Sequence, residues 1–513
     1  MSRINTNTTS LIAQRVLGQN NGNLNVSLER LSTGLRVNRG KDDPSGLIAS
    51  ENLRAEKTAV NTAISNAERA DQVVNIAEGG LDEVSRLLNE LQGLITQTAN
   101  TEGLSAEEKE ANQLQIDSIL QTIDRVAAST SFQGTKLLNG NFDYNVTGVS
   151  GNVSDFKVNG AKLGFGETRD VDVLVTQSAQ LAGYYLSFGG TNIDLGSAGE
   201  QFVIEIAGSV GSRELSFASG TALADIVAAI NSFESVTGVK ATTSGTGLRL
   251  DSTEYGSSEF VSVRVVDAGA IAAGDGIHTL TATDTAVATT AAASTFANAT
   301  NKITDFGQDV RATVNGIVAT TNGTNVRINT DFLDVEIELA YDTANPSAAQ
   351  VGAINAFTIE GGGAEFQLAG QVNIAGRVSL GIQNVAAREL GREEITFSGN
   401  TGTYFLADIG SGKDLNVVDG NTDGAQLVID RAIREVSSLR GRLGAFQKNT
   451  VGATVRNLNV ALENTTAAES SIRDADFASE TADLTRSQIL VSSATNILAI
   501  ANSQPQNALQ LLG

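Results

Sequence analysis

The segment Val60–Ile95 reads VNTAISNAERADQVVNIAEGGLDEVSRLLNELQGLI, and its small and aliphatic residues repeat every seven positions. A second series of apolar residues lies three positions after the first, and neither series contains a charge. An uninterrupted repeat of this kind predicts a long helix in a coiled coil or helical bundle. The two series are Val60, Ala67, Val74, Leu81, Leu88 and Ile95, and Ala63, Ala70, Ala77, Val84 and Leu91.

A shorter helical pattern precedes this segment and stops abruptly within SLERLSTGLRVNRGKDDPSGL, residues 27–47. The leucines at its start have helical spacing, but a glycine, three basic residues, two aspartates and a proline follow them. The basic residues could bind an anion, although the adjacent aspartates neutralise them. Asp43 followed by Pro44 instead predicts an N-cap and the first turn of a new helix. The helix-forming leucines are Leu24, Leu28, Leu31 and Leu35, and the charged crossing contains Arg36, Arg39, Lys41, Asp42, Asp43 and Pro44.

After the long N-terminal helix, a further helix is predicted over Glu107–Ser129.

The C-terminal part of the chain mirrors the N-terminal part, because a second seven-residue repeat appears near the C-terminus. This repeat resumes one residue out of phase after Phe446, which indicates a stutter in the supercoil. Residues 489–513 are apolar, small and uncharged, so we expect them to need a partner. The repeat comprises Ile429, Ala432, Val436, Leu439, Leu443 and Phe446, followed by Val451, Val455, Leu458 and Leu462.

Between these helical arms the apolar period changes to two, which predicts strands. In DVEIELAY, residues 334–341, Val335, Ile337 and Leu339 fall on one face. A short helix is expected from Leu223 to Ile230. Residues 281–300 form an Ala/Thr tract that we interpret as loop or surface strand. The middle is therefore predicted to form one to three small strand-rich domains, with turns at Asn159-Gly160, Asn315-Gly316 and Asn322-Gly323.

Charge divides the chain in the same way. Of the formal net charge of −23, residues 141–415 contribute −17, because they hold 14 basic and 31 acidic residues. This acidic surplus argues against nucleic acid or an anionic membrane as a partner. The absence of cysteine excludes disulfides and thiolate metal sites. No run approaches the roughly 18 apolar residues of a membrane span, and Met1–Gln14 lacks the features of a cleaved secretory signal.

Few residues are suited to catalysis or metal binding. His278 is the single histidine, and we interpret it as a surface residue and the chain as a non-enzyme without cofactor. The segment DGNTDGAQLVID, residues 419–430, has a weak likeness to a calcium loop. The alternative is a turn followed by acidic residues at the start of a helix, and we favour it. The weak calcium candidates are Asp419, Asn421, Asp423 and Asp430.

Both ends of the chain closely resemble bacterial flagellin. The N-terminal likeness lies in residues 27–47, in NAERADQVVNIAEGGLDEVSRLLNELQGLITQTAN (66–100) and in IDRVAASTSFQGTKLLNG (123–140). The C-terminal likeness lies in AIREVSSLRGRLGAFQKN (432–449), NLNVALENTTAAESSIRDADFASE (457–480) and ILVSSATNILAIANSQPQNALQLL (489–512). In the middle, residues 222–241 and 247–265 look like the motif inserted in many flagellins, and FTIEGGGAEFQL (357–368) looks like a segment that often precedes the C-terminal helices.

The resemblance implies an α+β multidomain fold, with coiled-coil and bundle arms flanking a strand-rich variable middle. It implies a structural subunit that polymerises into the flagellar filament for swimming motility, exported without a cleaved signal peptide. The expected partners are other copies of the chain, an export chaperone at the C-terminal helix, and the hook-associated junction and cap proteins. A hook–filament junction protein, or a filament adhesin with a glycan-binding middle, remains as an alternative.

The resemblance also implies a division of the chain. We expect an inner coiled-coil arm and crossing at residues 1–43 and bundle helices at 44–140. Outer domains follow at 141–415, of which 355–415 could pack on the bundle. A C-terminal bundle helix at 416–464 and an inner arm at 465–513 complete the chain. The predicted assembly residues are Leu24, Leu28, Leu31, Leu35, Val74, Leu81, Leu88, Ile95, Leu439, Leu443, Phe446, Ile489, Ile497, Ile500 and Leu509.

One position departs from the family pattern. Flagellins sensed by the vertebrate innate immune receptor carry an arginine in the helix before the QTAN-like segment. Alignment on TQTAN, residues 96–100, places Glu90 at that position, and the nearest arginine is Arg86. We therefore expect recognition by that receptor to be weak.

Overall fold

The computed structural model describes residues 6–100, 103–164, 166–197, 199–271, 276–280, 292–340, 351–397 and 400–510. At 292, 396–397, 400 and 505–510 it describes the backbone alone. Long helices occupy both ends of the chain, as the seven-residue repeats predict. The helices are α1 Thr8–Thr33, α2 Pro44–Thr98, α3 Ala106–Ser129, α4 Leu223–Asn231, α5 Glu234–Thr237, α6 Thr422–Ala445, α7 Gly452–Arg473 and α8 Phe477–Gln510.

Strands occupy the middle of the chain, so the strand-rich prediction is confirmed. The strands are β1 Ser131–Phe132, β2 Thr135–Lys136, β3 Tyr144–Thr147, β4 Val153–Ala161, β5 Arg169–Gln177, β6 Gly183–Ser187, β7 Gln201–Ala207, β8 Ser212–Ala218, β9 Val239–Ser244, β10 Gly247–Ser252, β11 Phe260–Asp267, β12 Gly276–Thr279, β13 Ala292–Thr295, β14 Ile303–Phe306, β15 Arg311–Val314, β16 Ile317–Val318, β17 Thr320–Asn322, β18 Asn325–Asn329, β19 Leu333–Leu339, β20 Gly352–Gly362, β21 Ala364–Gln367, β22 Arg377–Leu380, β23 Glu393–Phe397 and β24 Asn400–Tyr404.

The chain forms two compact units. The terminal unit consists of Met1–Asn75, Phe366–Arg377 and Gly441–Gly513. The central unit consists of Ile76–Glu365 and Val378–Arg440. Helices α2 and α6 therefore each contribute residues to both units.

The apolar face of α2 forms the helical core. Each of the eleven residues of its seven-residue repeat is at most 7% exposed, so the repeat correctly predicts burial from Val60 to Ile95. We call this row of buried residues the α2 seam. Glycine allows a close approach at one point beside it, because a Cβ at Gly80 would lie 2.7 Å from the Thr130 hydroxyl and 2.8 Å from Leu138. In the central unit α3 and α6 carry buried apolar faces of their own.

A buried glutamine on α3 fastens the segment that leads into α6. The side chain of Gln113 donates from Nε2 to the carbonyl oxygen of Ile409 at 3.0 Å. Its Oε1 accepts the backbone N–H of Val417 at 2.9 Å. Because buried backbone groups must be hydrogen-bonded, this amide replaces a regular strand or helix partner for both of them. The segment 406–417 is thereby held against α3 before α6 begins.

We predict that Gln113→Ala lowers the free energy of unfolding by about 2 kcal/mol, because it leaves a buried carbonyl and a buried N–H without partners. Denaturant unfolding followed by circular dichroism measures this loss. Gln115→Ala is the matched control, since Gln115 is exposed on the same helix. Equal stability of the two variants would contradict the fastening role.

Two β-sandwiches contain most of the strands of the central unit. In the distal sandwich, the sheet β13-β12-β6-β10-β9 and the sheet β14-β11-β7-β8, together with α4, enclose one apolar cluster. In the proximal sandwich, the sheets β16-β15-β5-β20-β3 and β17-β18-β19-β4 enclose another. Alternate residues of β19 are buried in this cluster, as predicted for Val335, Ile337 and Leu339. The strand-rich middle thus contains two apolar clusters, each enclosed by its own pair of sheets.

The distal sandwich is inserted into the proximal one. The chain leaves the proximal sandwich after β5 and returns to it before β15. At this neck the backbone N–H of Gln180 donates to the carbonyl of Gln308 at 2.9 Å, and the N–H of Gln308 donates back at 2.9 Å. The segments by which the chain enters and leaves the insert are therefore bonded to each other.

One predicted turn is wrong. Asn159-Gly160 lies inside β4, where the Asn159 amide donates to Asp334 at 3.3 Å. Gly160 occurs there because the backbone of Ser379 passes close by, with its carbonyl oxygen 3.3 Å from the position of a Cβ. Glycine in a strand often marks such an approach rather than a turn. Asn315-Gly316 is a turn with positive φ at both residues, and Asn322-Gly323 joins β17 to β18.

Charged residues join the proximal sandwich to α6. Arg431 of α6 lies 3.4 Å from Asp155 of β4 and 3.9 Å from Glu338 of β19. Lys157 of β4 bonds Glu435 of α6 at 3.1 Å. Burial raises the pKa of Glu338 above its ordinary value; Asp155 and Glu254 add to the rise, and Arg431 opposes it. The carboxylate of Glu338 is thus held in a site that disfavours its charge.

The raised pKa of Glu338 predicts a pH dependence. Because the folded chain holds this proton more tightly than the unfolded chain, the stabilisation is full below the unfolded pKa and is lost as the pH rises through the folded pKa. Glu338→Gln removes this partly buried charge, so it should raise the melting temperature at pH about 7.5 and raise it less at pH about 4. Thermal unfolding at both pH values tests this, with Glu336→Gln of the same strand as control. A lower melting temperature for Glu338→Gln at the higher pH would refute it.

Candidate assembly interface

Helices α1 and α8 pair along most of their length in the terminal unit. The Asn7 amide donates to the carbonyl of Ala501 at 2.7 Å, and the Asn20 amide donates to that of Leu490 at 3.4 Å. Arg30 of α1 lies 3.7 Å from Glu480 of α8. Residue numbers therefore rise along one helix as they fall along the other. The two helices run antiparallel.

Mostly small residues are buried in the contact between these helices, and half-buried Leu and Val side chains alternate with them, while other large apolar residues are exposed. The side chains buried in the pair are Ser10, Ala13, Ser27, Glu480, Ser487, Ala494 and Ala501. Ile497 and Ile500 are 58% and 63% exposed. An open groove of about 490 Å³, lined by residues of both helices, lies beside the contact. The further exposed apolar side chains are Leu11, Ile12, Val16, Leu28, Phe477, Ile489 and Leu490.

The predicted assembly residues separate into two groups. Leu28, Ile489, Ile497 and Ile500 are exposed, and Leu24, Leu31 and Leu35 are half-buried; their role stays a prediction. The side chain of Leu509 lies outside the described residues. The others are buried inside the chain and make its internal seam, so their side chains do not offer a surface to a second copy. These are Val74, Leu81, Leu88, Ile95, Leu439, Leu443 and Phe446.

The charged crossing joins α1 to α2 as the sequence predicts. Gly34 ends α1 with φ +72°, and its N–H donates to the carbonyl of Arg30. Arg39 pairs with Glu29 of α1 at 2.8 Å, and Asp42 accepts the N–H of Arg39. Lys41 is exposed. The charges of the crossing thus pair largely within this segment and with α1.

Asp43 caps α2, which begins at Pro44. Its Oδ1 accepts the N–H of Gly46 and the hydroxyl of Ser45, each at 2.9 Å. These two bonds, the Gly46 N–H first, hold the pKa of Asp43 below its ordinary value. The stabilisation from this cap is present above the unfolded pKa and is lost as the pH falls through the folded pKa. The predicted N-cap is confirmed.

The sequence analysis missed the partner of this crossing. The N–H of Arg36 donates to the carbonyl of Arg473 at 2.7 Å, and the N–H of Ala475 donates to that of Gly34 at 2.9 Å. The side chain of Arg36 reaches the carbonyl of Ile472. The segment that joins α7 to α8 is therefore hydrogen-bonded to the segment that joins α1 to α2. The polar run RDAD, residues 473–476, was the available signal for this second helix break.

We predict that Asp43→Ala speeds amide exchange at Gly46 and over the first turn of α2, because the cap is lost. Asp43→Asn retains an acceptor and should keep most of the protection. Hydrogen exchange read by mass spectrometry measures the difference, with Lys41→Ala as an exposed control in the same crossing. Unchanged protection in Asp43→Ala would show that the cap is unimportant.

Two of the four calcium candidates make other contacts. Asn421 accepts the N–H of Gly424 at the start of α6, and Asp430 accepts the amide of Gln92 at 2.8 Å. Asp419 precedes α6, and Asp423 lies in its first turn. Within the described ranges, no three or more His, Asp or Glu residues are placed to hold a metal ion. His278 lies on β12, with its ring centroid 6.0 Å from that of Tyr185.

Family models match both helical arms and part of the middle. The bacterial flagellin N-terminal helical region matches residues 4–143, the C-terminal helical region matches residues 427–512, and the flagellin hook IN motif matches residues 201–254. The chain is 26% identical to "Flagellin B" of Helicobacter pylori over 537 residues, and 28% identical to "Flagellin" of Salmonella rubislaw over 545 residues. In both cases 99% of each chain is covered. The chain belongs to the bacterial flagellin family.

A solved structure adds little to this assignment. FliC from Burkholderia pseudomallei is 16% identical, with 74% of this chain and 99% of that one covered and a TM-score of 0.22. A score this low supports no argument about the fold.

The family membership gives the function. The chain is a structural subunit that polymerises into the helical filament of the bacterial flagellum, which drives swimming. The junction-protein and adhesin alternatives are not favoured, because the flagellin matches extend over nearly the whole chain. Among the described helices, none is both long enough and apolar enough to span a lipid bilayer.

Proposed function

We propose that copies of the chain join in the filament through the outward apolar faces of α1 and α8. The observation that carries this proposal is the row of exposed large aliphatic residues on both helices, beside an open groove that both helices line. A soluble monomer gains nothing from exposing Ile497 and Ile500 beside an open groove. A polymer of identical subunits covers such faces through head-to-tail contacts that do not close into a ring.

The size of the effect supports this role. Full burial of an isoleucine side chain stabilises by about 1.5–3 kcal/mol, and about 1.4 kcal/mol corresponds to a tenfold change in an equilibrium constant. Ile497 and Ile500 lie one helical turn apart and face the same side of α8. Each subunit would repeat this gain at several contacts, so a modest apolar face can hold a long filament together.

We predict that the double variant Ile497→Ser/Ile500→Ser lowers seeded filament growth at least about tenfold, because two apolar contacts are lost per subunit. Monomer is mixed with short filament fragments, pelleted and imaged by negative-stain electron microscopy. The fold of the monomer should persist, since both side chains are exposed in the isolated chain.

Asn496→Ser is the matched control, because it replaces an exposed neighbour on the same helix. It should grow filaments at the rate of the unaltered chain. Normal growth of the double variant would place the assembly contacts elsewhere, and the junction-protein role would then regain interest.

We further propose that an export chaperone binds the C-terminal helix within residues 489–512. The chemistry on α8 fits this partner, because its aliphatic face would otherwise be exposed before assembly. Export without cleavage of a signal peptide and an extracellular location follow from the filament role. The hook-associated junction and cap proteins would contact the filament at its two ends.

The division of labour along the chain is likewise a proposal. Residues 1–43 and 465–513 would act as assembly arms, and residues 44–140 and 416–464 as bundle helices. Residues 141–415 would form the variable part, with 355–415 packed on the bundle through contacts such as that of Gln113 with Ile409. We assign no enzymatic step to the chain, and we expect weak activation of the vertebrate receptor because Glu90, exposed on α2, replaces the arginine.

A further inference from the structure

The helical stretch from α6 to α7 contains one residue more than the regular three-four spacing of its buried residues requires. The α2 seam keeps its three-four spacing from Val60 to Ile95 without interruption. Along α6 the same spacing runs to Phe446 and resumes at Val451, five residues later. Residues Phe446–Val451 form a turn of π-helix between α6 and α7. Within it the N–H of Gly452 donates to the carbonyl of Gln447, five residues back.

This π-turn keeps both flanks facing inward. Phe446 and Val451 are buried, whereas Lys448 and Asn449 between them are exposed. In a regular α-helix, the next residue on the same face as Phe446 would be residue 450 and not residue 451. The additional residue therefore sits in the wide turn, and α7 continues with Val455, Leu458 and Leu462 toward the interior.

Two glycines lower the intrinsic stability of the helix just before the turn. Gly441 and Gly444 precede it, and a Cβ at either position would meet no atom within 4 Å. Packing therefore does not require glycine there, although each glycine costs a helix about 1 kcal/mol relative to alanine. The side chain of Gln447 makes one good bond to α2, donating to Asn75 at 3.0 Å, and a longer one to the carbonyl of Asp71 at 3.5 Å.

Helix α7 is also loosely packed beyond the turn. Its inward residues Val455, Leu458 and Leu462 are only half-buried, and Thr465 is the buried residue among the described positions of this helix. Val460, by contrast, is 56% exposed on another face. The apolar residues of α7 are thus divided between two faces, and neither face is fully covered in one molecule.

We propose that the π-turn is an adjustable joint that lets α7 change its register when a second copy of the chain packs against it. Conversion of the π-turn to α-helix turns every later residue by about 100° and shifts it about 1.5 Å along the axis. Val460 then moves to the inward face. Val455, Leu458 and Leu462 turn away from the interior, where the neighbouring copy covers them.

The glycines make this conversion possible by keeping the local helix marginal, and the half-buried face of α7 lowers the cost of releasing it. The proposal rests on subunit assembly. It is separate from the interface proposed on α8, which the isoleucine variants test by themselves.

Removal of one residue from the π-turn locks the joint. In the deletion variant lacking Lys448, the shortened turn becomes α-helical while Phe446 and the residues from Val451 onward keep their places. The monomer should then melt at the same temperature or higher, and seeded filament growth should fall at least about tenfold, as expected when about 1.4 kcal/mol of assembly energy becomes inaccessible. A second variant lacking Asn449 should behave in the same way.

Two controls separate the joint from other effects of the change. Lys448→Ala removes the side chain and keeps the length, so it should melt and assemble normally. Deletion of Ser438, an exposed residue of α6 before the turn, turns Leu439, Leu443 and Phe446 away from the interior, and a later π-turn cannot absorb this change. That variant should lose both thermal stability and assembly.

The proposal stands if the Lys448 deletion is stable but assembles poorly while Lys448→Ala assembles normally. It fails if the Lys448 deletion grows filaments as fast as Lys448→Ala, because the joint is then unused. It also fails if the Lys448 deletion is as unstable as the Ser438 deletion, because the extra residue is then not stored in the turn. Normal stability of the Ser438 deletion would show that the register of these helices is immaterial and would overturn it as well.

Discussion

The uninterrupted α2 seam is the constraint on which the helical architecture depends. Eleven apolar residues at three-four spacing allow any neighbouring helix only one register, because a shift by one residue turns the neighbour's apolar face away by about 100°. The apolar face of α6 keeps the same spacing. Where the C-terminal sequence carries one residue too many, the helix widens into a π-turn instead of losing its phase. Sequence spacing at one helix thus explains an irregularity in another.

The chain treats its two helical contacts differently, and the difference follows from side-chain size. The α2 seam is made of residues that are buried within the chain, so it stabilises the monomer whether or not other copies are present. In the pair α1 and α8 the buried residues are mainly Ala and Ser, which bury little area, its leucines are half-buried or exposed, and Ile497 and Ile500 are exposed. A contact of this kind holds two helices side by side and leaves much of their apolar surface accessible in one copy of the chain.

Much of this could be predicted from the sequence, since periodicity reports which residues share a face. The apolar spacing predicted α2, α3 and α6, and Asp43 followed by Pro44 predicted the N-cap of α2. Periodicity does not say what covers a face, however, which is why Val74, Leu81 and Leu439 were assigned to an interface between copies and lie inside one chain. The Asn159-Gly160 pair was also wrongly predicted as a turn, because the glycine is there to permit a close backbone approach. The pairing of the two helix breaks through Arg36 and Arg473 depends on residues far apart in sequence, and no local pattern encodes it.

The neck at Gln180 and Gln308 bears on how the middle of the chain folds and varies. Closing a long flexible loop costs conformational entropy that rises with the logarithm of its length. Here the loop between β5 and β15 is a sandwich with its own core, and its two ends are already bonded to each other. Once the distal sandwich has folded, it connects the adjacent strands β5 and β15 of the proximal sandwich much as a tight turn would. An insert of this kind can lengthen, shrink or be exchanged over generations while the strands that receive it keep their register.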